Sequence, residues 1–273
     1  AATFLEQDSE QPPALLAEHY MRGLDAVRAV AYYTKAAERA LVQNDLGGAL
    51  SYVAQGLSTG ATDLARGYLC AINVVARFYR DEWPEALQNG QVALHLLPPG
   101  CRSWYQAAAQ LLPILNFLQD PGLYEQLADS VMQAQPEQDA RSTYIEAAAN
   151  LVITRSLRGQ REPGHRMLQI LEAQIPSLAD HEAIDLGRIE FSAAVHAYMV
   201  HGDAWNTLQH ALAGSQAAER AGDLRAYLFV KPFTALALAD MGDVAEAEKI
   251  LRDCLTLARE RHQPLLVSHI LVS

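Results

Sequence analysis

The sequence predicts an all-α protein, an α-α superhelix (solenoid) of about six helix pairs with a repeat of ~40 residues. Three observations support this prediction. The 273 residues include 46 Ala and 38 Leu, which are strong helix formers, whereas strand-forming residues are sparse. Half of the residues are hydrophobic, which requires a buried core and excludes a disordered chain. Short turn sequences recur at a near-constant interval, which is typical of stacked helical repeats.

The recurring turns divide the chain into helical hairpins. Each turn joins the first helix of a pair, helix A, to the second, helix B, and the turns follow one another at intervals of 37 to 43 residues. The six turns are Asn44-Asp45, Asp81-Glu82, Asp120-Pro121, Gly159-Gln160, Gly202-Asp203 and Gly242-Asp243. A small residue lies five positions after the start of three of them, where it would let helix B approach helix A closely. These residues are Ala49, Ala86 and Ala247.

The positions of prolines and the similar sequences at the starts of the A helices agree with this division into hairpins. Pro84, Pro121 and Pro163 closely follow a turn, where the first turn of helix B tolerates a missing N–H. Helix A opens with related sequences at 63–69, 185–191 and 223–228, and with looser variants at 102–105 and 141–144. Two further prolines, Pro113 and Pro232, fall inside helix A of their units. We expect both to kink their helices, because each removes a hydrogen bond to the residue four positions earlier.

These units predict one domain over residues 1–273. A single hairpin cannot bury its apolar face, so neighbouring hairpins must stack. We expect a leader at 1–13, repeats at 14–263 that begin with a partial unit, and the start of a truncated repeat at 264–273. Because the chain begins without Met and its last helix lacks a polar capping face, we expect it to be a segment of a longer multidomain protein.

The turns, the Ala at the helix crossing and the Tyr near the start of helix A resemble the tetratricopeptide family of helical hairpins. The repeat is nearer 40 residues than the family's usual 34, so the likeness is to its longer, degenerate relatives. The N-terminal part of the chain resembles the start of a particular class of helical-repeat region, and the resemblance lies in residues 15–20, 28–41 and 44–50. That region follows the nucleotide-binding module in bacterial signalling ATPases of the STAND type, which often carry a serine/threonine kinase, cyclase or DNA-binding domain. The resemblance implies a sensor or scaffold region.

Charge and cysteine content exclude several other classes. Lys and Arg total 21 against 32 Asp and Glu, and this net charge of −11 argues against nucleic-acid binding and against docking on an anionic membrane. No apolar run reaches the ~18 residues that a membrane-spanning helix needs. Cys70, Cys101 and Cys254 are too scattered for a metal site or a disulfide framework. We expect them to be small core residues in a cytoplasmic protein.

Motifs for catalysis, for a cofactor or for a metal are missing from the sequence. It contains neither a P-loop nor a Gly-x-Ser-x-Gly elbow. Residues 181–185 begin like the HExxH zinc motif, but Asp185 replaces the second histidine. His196 and His201 are five residues apart, or about 140° around an α-helix, too far for a shared metal unless the helix is broken. We therefore expect no catalytic residues, no cofactor and no metal ligands.

Polar residues recur at i, i+4 spacing on the predicted A helices, and this spacing places them on one helix face. In tetratricopeptide-like arrays the A helices line the inner surface, so the resemblance implies a shared binding groove. The expected groove residues are Asn73, Arg77, Tyr105, Tyr144, Asn150, Arg188, His196, Tyr227 and Lys231. The alternative is a face that is merely solvated. If the groove exists, its cations (Arg77, Arg188 and Lys231) would favour a partner bearing carboxylates or phosphates.

The predicted function is non-catalytic: binding a protein or peptide segment, or another domain of the same polypeptide, in order to regulate an attached ATPase or kinase by population shift. A second possibility is a small-molecule or peptide receptor region of a transcription regulator, which a deep cavity with converging Arg, Asn and Tyr would favour. A third is an enzyme with an unfamiliar site, which would require buried titratable groups with strongly perturbed pKa values. A homodimer formed through the C-terminal helix is also compatible with the sequence.

Overall fold

The structure, a computed structural model, describes residues 11–179, 182–261, 266, 267 and 270. These residues form thirteen α-helices with short connecting turns, and none of them lies in a β-strand, which confirms the predicted all-α fold. The chain divides into two compact units, Ala1–Thr143 and Tyr144–Ser273. Most of the predicted leader, His181 of the broken zinc motif and most of the predicted segment 264–273 lie outside the described residues.

The first unit contains seven α-helices, and its chain then enters α8 through a single 3-10 turn at Gln138–Ala140. The helices are α1 Pro13–Arg22, α2 Ala26–Val42, α3 Leu46–Ser58, α4 Asp63–Phe78, α5 Trp83–Leu96, α6 Arg102–Phe117 and α7 Pro121–Gln133. Each helix packs against the next one in the chain, and α2, α4 and α6 also pack against one another in succession. Helix pairs that stack in series in this way are the arrangement of a helical solenoid.

The second unit contains the remaining six α-helices. They are α8 Arg141–Leu157, α9 Arg161–Glu172, α10 Ala183–His196, α11 Ala204–Ala221, α12 Leu224–Asp240 and α13 Val244–Glu260. A 3-10 turn at Ile175–Ser177 precedes α10, and a π-helical turn at Ala197–His201 follows it. In this unit successive helices from α9 to α13 pack together, and α10 also contacts α12. The six predicted hairpins are therefore α2/α3, α4/α5, α6/α7, α8/α9, α10/α11 and α12/α13, with α1 as the partial unit.

One turn geometry explains the recurring dipeptides. At the end of α2, Asn44 has a left-handed backbone (φ 61°), and the Asp45 N–H donates to the Ala40 carbonyl at 2.8 Å. The Asp45 carboxylate then accepts from the Gly48 N–H at 2.8 Å at the start of α3. Asp45 thus closes one helix through a Schellman motif and caps the next.

The other five predicted turns also contain a left-handed residue, but the register of one prediction was wrong by a residue. In the third turn the left-handed residue is Gln119, so Asp120 is the cap and not the first turn residue. The same geometry also occurs at Leu24-Asp25 and at Gly222-Asp223, which lead into helices α2 and α12. The tight turn is therefore not confined to the connection from helix A to helix B.

Small side chains lie where the helices cross. Ala49, Ala86 and Ala247 are buried, as expected. Glycines add to them: a Cβ on Gly56 of α3 would lie 2.8 Å from Leu69 of α4, too close for an undisturbed contact. Helices α6 and α12 continue through their internal prolines. Cys70, Cys101 and Cys254 are free and buried. In the described part of the chain, every helix is too short or too polar to cross a membrane.

Candidate functional site

In the first unit, the predicted Asn73–Arg77 pair is a buried polar contact with its own counter-ion. Arg77 donates from Nε to Asn73 Oδ1 at 2.8 Å, and its guanidinium forms an ion pair with Glu82 at the start of α5. Glu82 also accepts from Arg80 Nε at 2.7 Å. Asn73 is only 6% exposed, whereas Arg77 is half-buried. Arg77 therefore has a carboxylate partner within the chain, and Asn73 helps to hold it in place.

Tyr105 of α6 lies in the core of the first unit. Its side chain is fully buried, and its hydroxyl donates to the Ala134 carbonyl just after α7 at 2.9 Å. A surface partner has no access to this ring. The hydroxyl joins α6 to the chain that follows α7 within the same unit.

In the second unit, five predicted residues are half-buried on three A helices. They are Tyr144 and Asn150 on α8, Arg188 on α10, and Tyr227 and Lys231 on α12. Partial exposure leaves each of them able to contact both its own helix and a partner. Burial raises the pKa of Tyr144 and of Tyr227, so both hydroxyls remain protonated near neutral pH.

Arg188 links two of these helices through a pair of carboxylates. Its Nη2 lies 2.7 Å from Glu146 Oε2 on α8, and its Nη1 lies 3.0 Å from Asp185 Oδ1 on its own helix. Asp185 is buried, and the Arg188 and Glu146 side chains are 24% and 18% exposed. The guanidinium therefore has carboxylate partners inside the unit.

The α12 residues border a small pocket on the same unit. Lys231 Nζ lies 5.8 Å from the centre of the Tyr227 ring, in the range of a cation–π contact. Asp253 and Cys254 of α13 line the same pocket, whose volume is about 90 Å³. Burial raises the pKa of Cys254 to about 11, so its thiol stays protonated and unreactive.

His196 lies in the interior and not on the half-exposed face. It is 3% exposed, and its Nδ1 lies 2.9 Å from Ser156 Oγ on α8. The expectation that His201 lies about 140° away from it was wrong, because Ala197–His201 is a π-helical turn. Hydrogen bonds in a π-helix join residues five apart, which therefore share one face. The rings of His196 and His201 are 5.3 Å apart between centres.

Two pockets in the described residues are small. The α12 pocket and a second pocket of about 210 Å³ between α1, α2 and α3 are both smaller than the ~300 Å³ at which small-molecule sites usually begin. Among the residues that the structure describes, no group of three or more His, Cys, Asp or Glu is arranged to hold a metal ion.

Sequence reasoning missed the partners of the predicted residues. Glu146, Asp185 and Ser156 contact predicted residues that lie 3 to 42 positions away in the chain. The i, i+4 signal is local to one helix, so it could suggest the Asn73–Arg77 contact but not a pair between two helices. Comparison with protein-family models and with curated proteins gives no match.

Proposed function

We propose that this chain is a non-catalytic protein-interaction module that binds a protein segment, or another domain of the same polypeptide, on the A helices of its second unit. The observation that supports this proposal is the partial exposure of five aromatic and polar residues on α8, α10 and α12 (Tyr144, Asn150, Arg188, Tyr227 and Lys231). Tyr and Arg are the residues that most often dominate binding energy when an interface covers them. We call these five residues the A-helix face.

The charges of the A-helix face indicate what kind of segment it would take. An external carboxylate would have to compete with Glu146 and the buried Asp185 for the Arg188 guanidinium, and weakening such a buried pair is costly. Lys231, beside the Tyr227 ring, is the better-placed contact for an acidic group. We therefore favour a segment that supplies apolar and hydrogen-bonding groups with a single acidic residue over a polyanion.

The biological setting that we propose follows the resemblance of the first fifty residues. In that setting the module is the cytoplasmic sensor or scaffold region of a bacterial signal-transduction ATPase or kinase of the STAND type. The bound segment would favour one state of the attached effector by population shift, in proportion to its preference for that state. A homodimer is a further arrangement in which a second copy supplies the segment.

A capture experiment with matched variants tests the interaction module. The bait is the whole chain, and the test variant combines Tyr144→Ala, Tyr227→Ala and Lys231→Glu. The control variant combines Trp205→Ala and Lys249→Glu, an exposed aromatic residue and an exposed lysine on the B helices of the same unit. Circular dichroism confirms that both variants are folded before lysate proteins are captured and quantified by mass spectrometry.

We expect a partner that the wild type and the control variant capture equally and that the test variant loses by at least tenfold. Equal capture by all three chains would mean that the partner binds elsewhere, and would contradict the proposed binding site. If no chain captures a protein, an intramolecular partner is tested next by adding the neighbouring domains of the full-length polypeptide.

A further inference from the structure

Three imidazole rings meet at the C-terminal end of α10, in the second unit. The His165 ring of α9 lies 5.8 Å from the buried His196 ring and nearly parallel to it (22°). The His201 ring approaches from the π-helical turn at 5.3 Å and at 77°. His165 and His201 are exposed, whereas His196 is buried.

The hydrogen bonds around His196 fit only its neutral form. The single hydroxyl proton of Ser156 is donated to the Val152 carbonyl at 2.8 Å, so Ser156 Oγ accepts from the Nδ1–H of His196 at 2.9 Å. Nε2 is then the unprotonated nitrogen. It is fully buried and has no hydrogen-bond partner in the described structure. A proton on Nε2 would create a buried charged donor with nothing to accept from it, which is costly.

Charged and titratable groups from three neighbouring elements lie near His196. From α8 comes Arg155, whose Cβ and the His196 ring both lie 3.6 Å from the position that a Cβ on Gly164 would take. From α9 come His165 and the positive N-terminal end of the helix, to which Gly164 belongs. From the π-helical turn comes His201, which interacts with Asp203 at the start of α11. From α12, the Phe233 ring packs against the ring of Tyr198 in the π-helical turn.

Burial lowers the pKa of His196, and the neighbouring His201 and His165 lower it further. A lowered pKa in the folded state means that the neutral ring stabilises the fold fully above the ordinary value of about 6.5. This stability is lost as the pH falls from that value through the pKa of the folded state.

The backbone next to His196 differs from that of the other tight turns. In the other tight turns the capping residue donates to a carbonyl five positions back, as Asp243 does to Leu238 at 2.8 Å. After α10 the Asp203 N–H donates six positions back, to the Ala197 carbonyl at 3.1 Å. The π-helical turn therefore holds one residue more than an α-helical turn would. Single π-turns of this kind are rare and occur often at functional sites.

We propose that His196 is a proton-operated switch: protonation of its Nε2 below neutral pH drives the ring from its buried position and rearranges the π-helical turn Ala197–His201. This inference does not rest on the proposed binding function. It concerns only the second unit, and its readout is the conformation of the turn.

Nuclear magnetic resonance on the full-length chain tests the switch. The backbone amides of residues 197–203 are followed between about pH 8 and pH 5, with a chelator present throughout so that no metal contributes. His165 and His201 are imidazoles as well, and His201 lies within the observed segment, so the diagnostic transition is the one that remains in His165→Asn and in His201→Asn. We expect its midpoint to lie below the ordinary histidine value. His196→Asn keeps a donor for Ser156 but cannot be protonated, so it should abolish the transition. His95→Asn, on the exposed surface of α5, should leave it unchanged.

Two further variants keep the test decisive if His196→Asn fails to fold. His165→Asn and His201→Asn remove exposed side chains, and each takes away one like charge near His196. Each should therefore raise the midpoint, by about half a pH unit for a partly solvated pair of charges. Amides that do not change with pH, a midpoint that neither variant moves, or a transition that persists in His196→Asn would each overturn the proposal.

Discussion

At the scale of single residues, several half-buried charges are paired within the chain, as Arg77 is with Glu82 and Arg188 with Glu146. The clearest titrating pair is His210 of α11 with Glu190 of α10, whose Nδ1 and Oε2 atoms are 2.7 Å apart. The hydrogen bond that His210 donates to the Glu190 carboxylate raises the pKa of His210, against an opposing effect of burial. A raised folded-state pKa gives stability that is fully present below the ordinary value of about 6.5 and is lost as the pH rises through the folded-state value.

This pair makes a pH-dependent prediction for Glu190→Gln. The variant should lower the free energy of unfolding by up to ~1 kcal/mol near pH 6, because the pair is partly solvated, and by less near pH 9. Urea denaturation at the two pH values measures the difference, and a histidine titration by NMR should show a lower pKa for His210. Glu248→Gln, in an exposed ion pair on α13, is the control and should change little. An equal loss at both pH values would rule out the charged pair.

The A-helix residues show what sequence reasoning can predict at this scale. Spacing of i, i+4 identified Arg77 and Asn73, which contact each other, because both lie on one helix. It did not predict that Arg188 is held by Glu146, 42 residues away, since that contact depends on how α8 and α10 pack. The prediction that Arg188 would favour a partner bearing carboxylates or phosphates did not take this contact into account.

At the scale of elements, the tight turns should respond to the loss of their capping residue. The Asp120 carboxylate accepts from the Leu123 N–H at 3.0 Å at the start of α7. Asp120→Ala should therefore lower the free energy of unfolding by ~1 kcal/mol, the usual cost of losing a helix N-cap. Asp129→Ala makes the same substitution at an exposed position inside α7, where Ala is the better helix former. Urea denaturation should show a loss for the first variant only; equal effects would mean that the cap contributes nothing.

Helix crossings give a second prediction at this scale. A Cβ on Gly90 of α5 would lie 2.5 Å from Leu111 Cδ1 on α6, so Gly90→Ala should destabilise the protein by about 1–3 kcal/mol through overpacking. Gly47→Ala in α3 is the matched control, because the nearest atom to its new Cβ is 3.8 Å away. There the better helix propensity of Ala should stabilise by up to about 1 kcal/mol. Thermal or urea denaturation of both variants should show opposite signs; the same sign would contradict this account of the crossing.

The π-helical turn marks the limit of sequence reasoning about elements. The dipeptide Gly202-Asp203 correctly predicted where α10 gives way to α11, because the left-handed residue and the capping Asp are chemical requirements of the turn. Nothing in residues 197–201 distinguishes a π-turn from an α-turn, since the choice depends on packing of the buried His196 and its neighbours. The angle of about 140° between His196 and His201, predicted on the assumption of an α-helix, was therefore wrong.

At the scale of the whole molecule, composition and repeat spacing were sufficient for the fold class, because they report on helix formation and on the packing of successive hairpins. In both units the packing joins helices that are close in sequence. Chains of this kind are stabilised by the sum of their repeats and the contacts between neighbours. We therefore expect a destabilising substitution in one repeat to affect that repeat and its neighbours and to leave distant repeats unchanged.

Matched core substitutions test this locality. Leu111 of α6 and Leu228 of α12 are both fully buried on A helices, one in each unit. Replacing either leucine with Ala should cost about 2–5 kcal/mol, through lost transfer energy and the cavity left behind. In hydrogen exchange followed by mass spectrometry, Leu111→Ala should accelerate exchange in α5, α6 and α7 and leave α11, α12 and α13 unchanged. Leu228→Ala should do the reverse. If either variant accelerated exchange equally in both units, the chain would unfold as one cooperative body, and its stability would not be a sum over neighbouring repeats.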